Sequence, residues 1–445
     1  MANQLDLTIW RKRQEALDKA ITDYDQWLQG SNVPRASTFR CLLKNLQAFA
    51  KGQFDFFCDG FGLGRLREDQ NQPPAYVLWA TLDQVASDLG FIQQAVAQRL
   101  QGTQEMRKTL NTAEALALLA LSPVKAMLDP QTTVLAYFQK FPSVRVIPYA
   151  PVALIGFPFT CTSVPRDYLA IPHEVGHYVF WRGKSNGKRI RQILKENLEA
   201  SGGPEWVQDW GEEIFADIYG YLSAGPLMAL SCQDLQLSLA LDGLIEDDGE
   251  HPLPAVRPYV YTTYLEKKGQ GDWGDLAGRL KRRWDDRMGQ RKLDSKTVKF
   301  VPKSLKADQE KQLTLLDWLL HPSEKKLPTL DEAITQTGSV IDTVSEQLGI
   351  QTEGWFASLY VGLAGLANLD NLYSRFEDRF NPQTLNLPAE VPQELQLPGW
   401  SWTDWLQKIY SDNKVQVQKP IPVETWLFVL LADGWATKIA SSWRR

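Results

Sequence analysis

The segment IPHEVGHYVFW, residues 171–181, carries a His173-Glu174-x-x-His177 spacing. On an α-helix, residues four apart are turned by only about 40°, so both imidazoles can face one metal ion while Glu174 lines the same cleft. Two such nitrogens beside a carboxylate have the geometry of a zinc site. The plain alternative is a pair of surface histidines on a helix, and what separates the two readings has to come from elsewhere in the chain.

A catalytic zinc needs a third protein ligand and an open position for water. Thirty-six residues after His177, within EWVQDWGEEIFADIYGYL (205–222), Glu213 and Asp217 stand four apart and share a helix face. Glu213 can ligate the metal, with its neighbour Glu212 as the other candidate for that position. Asp217 can accept a hydrogen bond from a ligand imidazole and so fix its tautomer and orientation. An acidic helix end would also favour Glu212 and Glu213 near a helix N-terminus. The flanking Ile214, Phe215, Ala216, Ile218 and Tyr219 instead predict a buried or cleft-facing helix, where a carboxylate needs a partner.

HEVGH followed by E-x-x-x-D resembles the gluzincin metallopeptidases, the superfamily of the thermolysin-like enzymes and of the CaaX prenyl and heat-shock zinc endopeptidases. The resemblance implies a zincin-like core, zinc held by His173, His177 and Glu213, Glu174 as the general base, and Asp217 behind a ligand histidine. His251, Pro252 and Arg257 form an H-P-x-x-x-x-R pattern similar to one that follows the third ligand in the prenyl-protease branch. Together these motifs span roughly 171–257, about a fifth of the chain. Unlike that branch, this sequence has no membrane helices and carries large helical flanks.

Negative charge builds on the carbonyl oxygen during such a hydrolysis, and His251 or Arg257 is the expected donor to it. Arg257 equally suits the orientation of Asp217 or of a substrate carboxylate. With both motif histidines committed, only His251 and His321 remain, and His321 precedes Pro322 in a charged loop where a structural role is expected.

Working outward, Trp10, Leu17, Ile21, Tyr24 and Leu28 recur at helical spacings between Thr8 and Gln29, and Gly30 stops the run. Helical patterns also follow Pro74 and Asn111, the second with an expected capping box of Asn111 and Glu114. At Phe141 the texture changes: FPSVRVIPYAPVALIGFPFT (141–160) predicts one or two short strands interrupted by proline. The expected fold class is α+β, predominantly helical, with a small sheet in a zincin-like core. The expected organisation is a helical region at 1–140, the catalytic core at 141–264, a charged linker or surface excursion at 265–311 and a second helical region at 312–445. In the last, LTLLDWLL (313–320), residues 355–380 and TWLFVLLADGWATKIASSW (425–443) read as helices.

The 445 residues carry 48 basic and 53 acidic side chains, a net charge of −5, which disfavours whole-surface attraction to nucleic acid or an anionic membrane. The amino terminus has no apolar segment of a secretory signal, so a cytoplasmic protein is expected. The longest apolar runs, such as Trp426 to Ala432, fall well short of the ~20 residues of a membrane span. Four dispersed cysteines, Cys41, Cys58, Cys161 and Cys232, read as buried thiols. Between Arg279 and Lys311, twelve Lys or Arg face five Asp or Glu, with Trp284 interleaved. Such a stretch can hold single-stranded nucleic acid, although a solvated connection is the usual reading of a charge run.

Other signatures fail. There is no G-x-S-x-G elbow. Gly183-Lys184-Ser185 lacks the upstream glycine of a phosphate loop, because Tyr178 stands there. The glycines of DGFGLGR (59–65) read as a flexible loop, and EDDGE (246–250) is too short for a calcium loop. The sequence therefore predicts a zinc peptidase acting on a peptide or protein substrate. Its alternative is a catalytically silent zinc-bearing scaffold or binding module.

Overall fold

The computed structural model describes residues 6–67, 72–200, 205–244, 251–268, 272–291, 299–300, 313–314, 369, 395, 399–412 and 421–422. The chain opens with helices α1 (Leu7–Gln29) and α2 (Ala36–Gly62), a two-residue strand β1 (Leu66–Arg67), and helices α3 (Pro74–Gln101) and α4 (Gln104–Leu121). Gly30 caps α1, and Pro74 begins α3, where the missing N–H has no helical partner to lose.

Two details differ from the sequence reading. Helix α2 continues through Gly60 and Gly62 instead of opening into a loop there. Helix α4 starts at Gln104, where the Thr103 hydroxyl accepts the Met106 N–H at 3.2 Å, so Asn111 and Glu114 sit in mid-helix and form no capping box. Glu114 is buried instead. It pairs with Arg99 and with Arg35 (3.3 Å) and accepts the Ala136 N–H (3.1 Å). Two guanidiniums and a peptide donor satisfy a carboxylate that burial would otherwise penalise.

Strands β2 (Thr133–Gln139), β3 (Ser143–Val146) and β4 (Val152–Pro158) form a mixed sheet in the order β2-β4-β3. β2 runs parallel to β4 with Thr133 opposite Val152, and β3 runs antiparallel with Val144 opposite Ile155. The proline-rich stretch from Phe141 supplies the β3–β4 hairpin. β2 arises earlier, from the β-branched and aromatic run TVLAYFQ, inside the stretch read as mostly helical. Val134, Ala136, Phe138, Ala153 and Ile155 join one core, and Leu135, Tyr137, Val152 and Leu154 join the other. Successive side chains point to opposite faces, so the sheet is apolar on both sides and lies between two helical layers. The fold is α+β and mostly helical.

On one side the sheet meets α1–α3. On the other lie α5 (Ala170–Arg182), the short hairpin β5 (Lys184–Ser185) and β6 (Lys188–Arg189), α6 (Ile190–Ala200), α7 (Glu205–Ala224), α8 (Pro226–Leu237), α9 (Leu241–Leu244), α10 (Arg257–Lys268) and α11 (Asp272–Gln290). Helix α11 falls within the stretch read as a connection and packs against α10. Its Trp284 is fully buried and donates the indole N–H to the Ala255 carbonyl at 3.0 Å, so the aromatic ring of the basic stretch offers no face to a base. Arg283 and Arg287 of the same helix pair with Asp234.

Beyond α11, β7 (Lys299–Phe300) pairs with β8 (Leu313–Thr314), the first two residues of a run read as helix. Helix α12 (Trp402–Asp412) lays Trp402 and Trp405 against Phe49 of α2, with ring centroids 5.8 and 5.9 Å away, and β9 (Ile421–Pro422) pairs with β1. Residues 315–320, His321, and residues 355–368, 370–380 and 425–443 lie outside the described residues. Among those described, no helix is long and apolar enough to cross a membrane. All four cysteines are free; Cys58, Cys161 and Cys232 are buried and Cys41 is partly so.

Candidate metal centre

Helix α5 is buried throughout from Ile171 to Trp181, with Pro172 in its first turn, where proline is tolerated. Helix α7 crosses it at close range because both helices carry glycine at the contact. A Cβ on Gly176 would lie 2.8 Å from the Ala216 Cα, and one on Gly220 would lie 3.2 Å from the His173 nitrogen. This closeness is what brings imidazoles on α5 within reach of short carboxylates on α7. Gly176→Ala should wedge the helices apart, lowering stability by about 1–3 kcal/mol as overpacking does and lowering metal content with it. Urea denaturation and metal analysis of one preparation check both effects.

His173, His177 and Glu213 form a buried group, their ligand atoms within 4.8 Å of one another, that could hold a metal ion. The two Nε2 atoms are 3.1 Å apart, and the Glu213 carboxylate lies 3.5 Å from His173 Nε2 and 3.4 Å from His177 Nε2. The rings are nearly perpendicular, at 89°. Each imidazole turns its other nitrogen to a carboxylate. His177 Nδ1 lies 2.8 Å from Glu212 Oε1, and His173 Nδ1 lies 3.0 Å from Asp217 Oδ1 in a contact too bent for a good hydrogen bond.

A carboxylate at Nδ1 draws the ring proton there and leaves Nε2 as a lone pair. Two imidazole nitrogens and a carboxylate converge on one point, with the Arg257 Nη2 beside them at 3.2 Å from His173 Nε2 and 3.0 Å from Glu213 Oε2. The donor set, two imidazole nitrogens and one carboxylate oxygen, fits a divalent ion such as zinc.

Arg257, the first residue of α10, reaches into the group, its Nη2 lying 3.2 Å from His173 Nε2. Its Nε donates to Asp217 Oδ2 (2.8 Å), and its Nη2 donates to Asp217 Oδ1 (2.9 Å) and Glu213 Oε2 (3.0 Å). Burial alone would push both carboxyls up, but neighbouring cations reverse its effect. His177 and Arg257 hold Glu213 well below the usual carboxylate range, and Arg257 with His173 brings Asp217 down to about 2. Burial likewise opposes charge on His173, and its contacts with Asp217 and Glu213 overcome that, raising it to about 9. Surroundings that favour a proton on this ring also favour a metal cation in its place, and metal binding releases the proton.

Glu174 follows His173 on α5. It is 8% exposed and makes no hydrogen bond or ion pair among the described residues, although its charge reaches the Tyr137 hydroxyl. A carboxylate buried without a fixed partner is available to a water or a substrate group. His251 has a side chain 41% exposed, with Nε2 at 3.2 Å from Glu213 Oε1. The structure thus brings His173, His177, Glu213, Asp217, His251 and Arg257 into one network, and Glu174 follows His173 on the same buried helix.

Glu212 lies outside the convergent group, facing His177 and accepting the Trp181 indole N–H at 2.8 Å. The sequence offers Glu212 as an alternative ligand or a helix-end acid, and it assigns no role to Trp181, Tyr261, Gly176 or Gly220. For Tyr261 the one signal was its place four residues after Arg257; for Glu212 it was adjacency to Glu213. Comparison with known proteins finds no family model, no curated protein and no solved structure that matches this chain.

Proposed function

We propose that the chain is a zinc-dependent peptidase that hydrolyses peptide bonds in a peptide or protein substrate, with the metal held by His173, His177 and Glu213. The observation that carries this reading is the buried His, His, Glu group, with Glu174, which makes no hydrogen bond or ion pair among the described residues, following His173 on the same helix. A purely structural site needs no free base and normally closes its fourth ligand position. When bound, zinc supplies a Lewis acid that lowers the pKa of water and polarises a carbonyl.

The chain's own residues supply the rest. Glu174 takes a proton from the attacking water and returns it to the leaving amine nitrogen. Asp217 and Glu212 orient the two imidazoles. His251, exposed at the edge of the group, is the donor to the carbonyl oxygen as negative charge develops there. Arg257 is fully engaged with Asp217 and Glu213, which supports positioning over oxyanion contact among the roles weighed for it. No covalent enzyme intermediate is required.

A peptide library digested with zinc-loaded protein, scored by mass spectrometry for new termini, tests the reading. Cleavage that a chelator removes and zinc restores is expected. A protein that holds zinc stoichiometrically and cleaves nothing would be the scaffold instead. His251→Ala should retain zinc while kcat falls about 10²–10³-fold, the usual effect of losing an oxyanion donor. Steady-state kinetics on a cleaved library member, beside metal analysis, separate the two quantities, and an unchanged kcat would remove His251 from this role.

A further inference from the structure

Asp217 is the most heavily engaged carboxylate of the site. It is 1% exposed, and its Oδ1 has three neighbours: the Tyr261 hydroxyl at 2.8 Å, Arg257 Nη2 at 2.9 Å and His173 Nδ1 at 3.0 Å. Tyr261 and Arg257 stand four residues apart on α10 and therefore reach the carboxylate from one helix face. We propose that Tyr261 is a positioning residue of the metal centre: its hydroxyl, acting with Arg257, fixes the Asp217 carboxylate whose charge faces His173 Nδ1 at 3.0 Å. The inference rests on the metal-centre reading above and extends it to residues behind the ligands.

Arg257 alone does not determine where Oδ1 sits. Its Nη2 is shared with Glu213 Oε2 and with His173 Nε2 at 3.2 Å, so any shift of the guanidinium toward either loosens its hold on Oδ1. The Tyr261 hydroxyl donates to Oδ1 from a ring that is itself buried and packed beside Tyr221, with centroids 6.3 Å apart. A rigid phenol is a better stop than a long guanidinium, because fewer rotatable bonds must be frozen to hold it. The second histidine is backed in the same manner: Glu212 faces His177, and the Trp181 indole donates to Glu212. Each imidazole thus has a carboxylate behind it, and each carboxylate has an aromatic donor from outside the His-Glu motif.

The test is Tyr261→Phe, which deletes one hydroxyl and keeps the ring. Zinc affinity is measured by chelator competition, and the visible d–d spectrum is recorded on the cobalt-substituted protein. Tyr219→Phe is the matched control, since its buried hydroxyl donates to the Ala120 carbonyl at 2.6 Å. Groups that orient metal ligands are worth roughly 10–100-fold in affinity. Tyr261→Phe is therefore expected to weaken zinc binding within that range and to shift the cobalt spectrum. Tyr219→Phe is expected to keep wild-type affinity and spectrum whatever its melting temperature. Wild-type affinity and spectrum in Tyr261→Phe would overturn the proposal, as would an equal loss in Tyr219→Phe, which would reduce Tyr261 to general packing. A wild-type protein that binds no zinc overturns the metal-centre reading itself, and that outcome is visible before any variant is made.

Discussion

Glu174→Gln is expected to leave zinc content and the unfolding midpoint near those of the wild type and to lower peptide hydrolysis by about 10²–10⁴-fold, the range of a general base. The amide has the shape of the acid, and Glu174 lies outside the His173, His177, Glu213 group, so no ligand is lost. It also breaks no ion pair among the described residues. What disappears is the ability to accept a proton from water. Turnover of one defined peptide, measured for both proteins after metal analysis, checks the expectation. Wild-type turnover in the variant would dismiss Glu174 as the base and leave the metal group untouched.

His173→Ala has the opposite signature, in which the metal goes first. The substitution removes one of the three proposed ligands and also the ring that faces Asp217. The loss of zinc affinity should exceed the roughly 10–100-fold that follows from disturbing a group behind a ligand, and hydrolysis should disappear with the metal. Asp217 keeps its contacts to Arg257 and Tyr261, so the helices that carry the site should stay folded. Chelator competition followed by far-ultraviolet circular dichroism separates loss of metal from loss of fold. Stoichiometric zinc at unchanged affinity would contradict the site.

The part of the centre that a sequence can reveal is the part built on one helix at a time. His173 with His177, and Glu213 with Asp217, are pairs four apart, and helical geometry alone puts each pair on one face. That these two faces meet depends on contacts far apart in the chain, and the glycines that permit it, Gly176 and Gly220, look like ordinary helix glycines until the opposing backbone is known. Arg257 and Tyr261 come from a third helix, and only tertiary packing brings them onto Asp217.

The sheet was legible to a similar degree. The proline-rich stretch after Phe141 announced the β3–β4 hairpin, whereas TVLAYFQ is apolar without alternation because both its faces are buried, and such a run does not distinguish strand from helix by period. Glu114 was misread for a related reason. Its spacing from Asn111 matches a capping box, but Arg35 and Arg99, both distant in sequence, bind its carboxylate inside the protein. A local pattern gave way to a buried charge that required partners. Trp284 in the basic stretch is the same case in apolar form: its neighbours on the chain are charged, and its neighbours in space are the core.

Under the proposed function, His173, His177 and Glu213 hold one catalytic zinc. This assignment is tested most directly by anomalous scattering recorded on either side of the zinc absorption edge, from crystals of protein purified without added chelator. A single anomalous peak is expected, bonded at about 2.0–2.2 Å to both Nε2 atoms and to a Glu213 oxygen, with Glu174 free of the metal. A fully occupied peak held by other residues, or a zinc-replete crystal with these three side chains unbound, would contradict it.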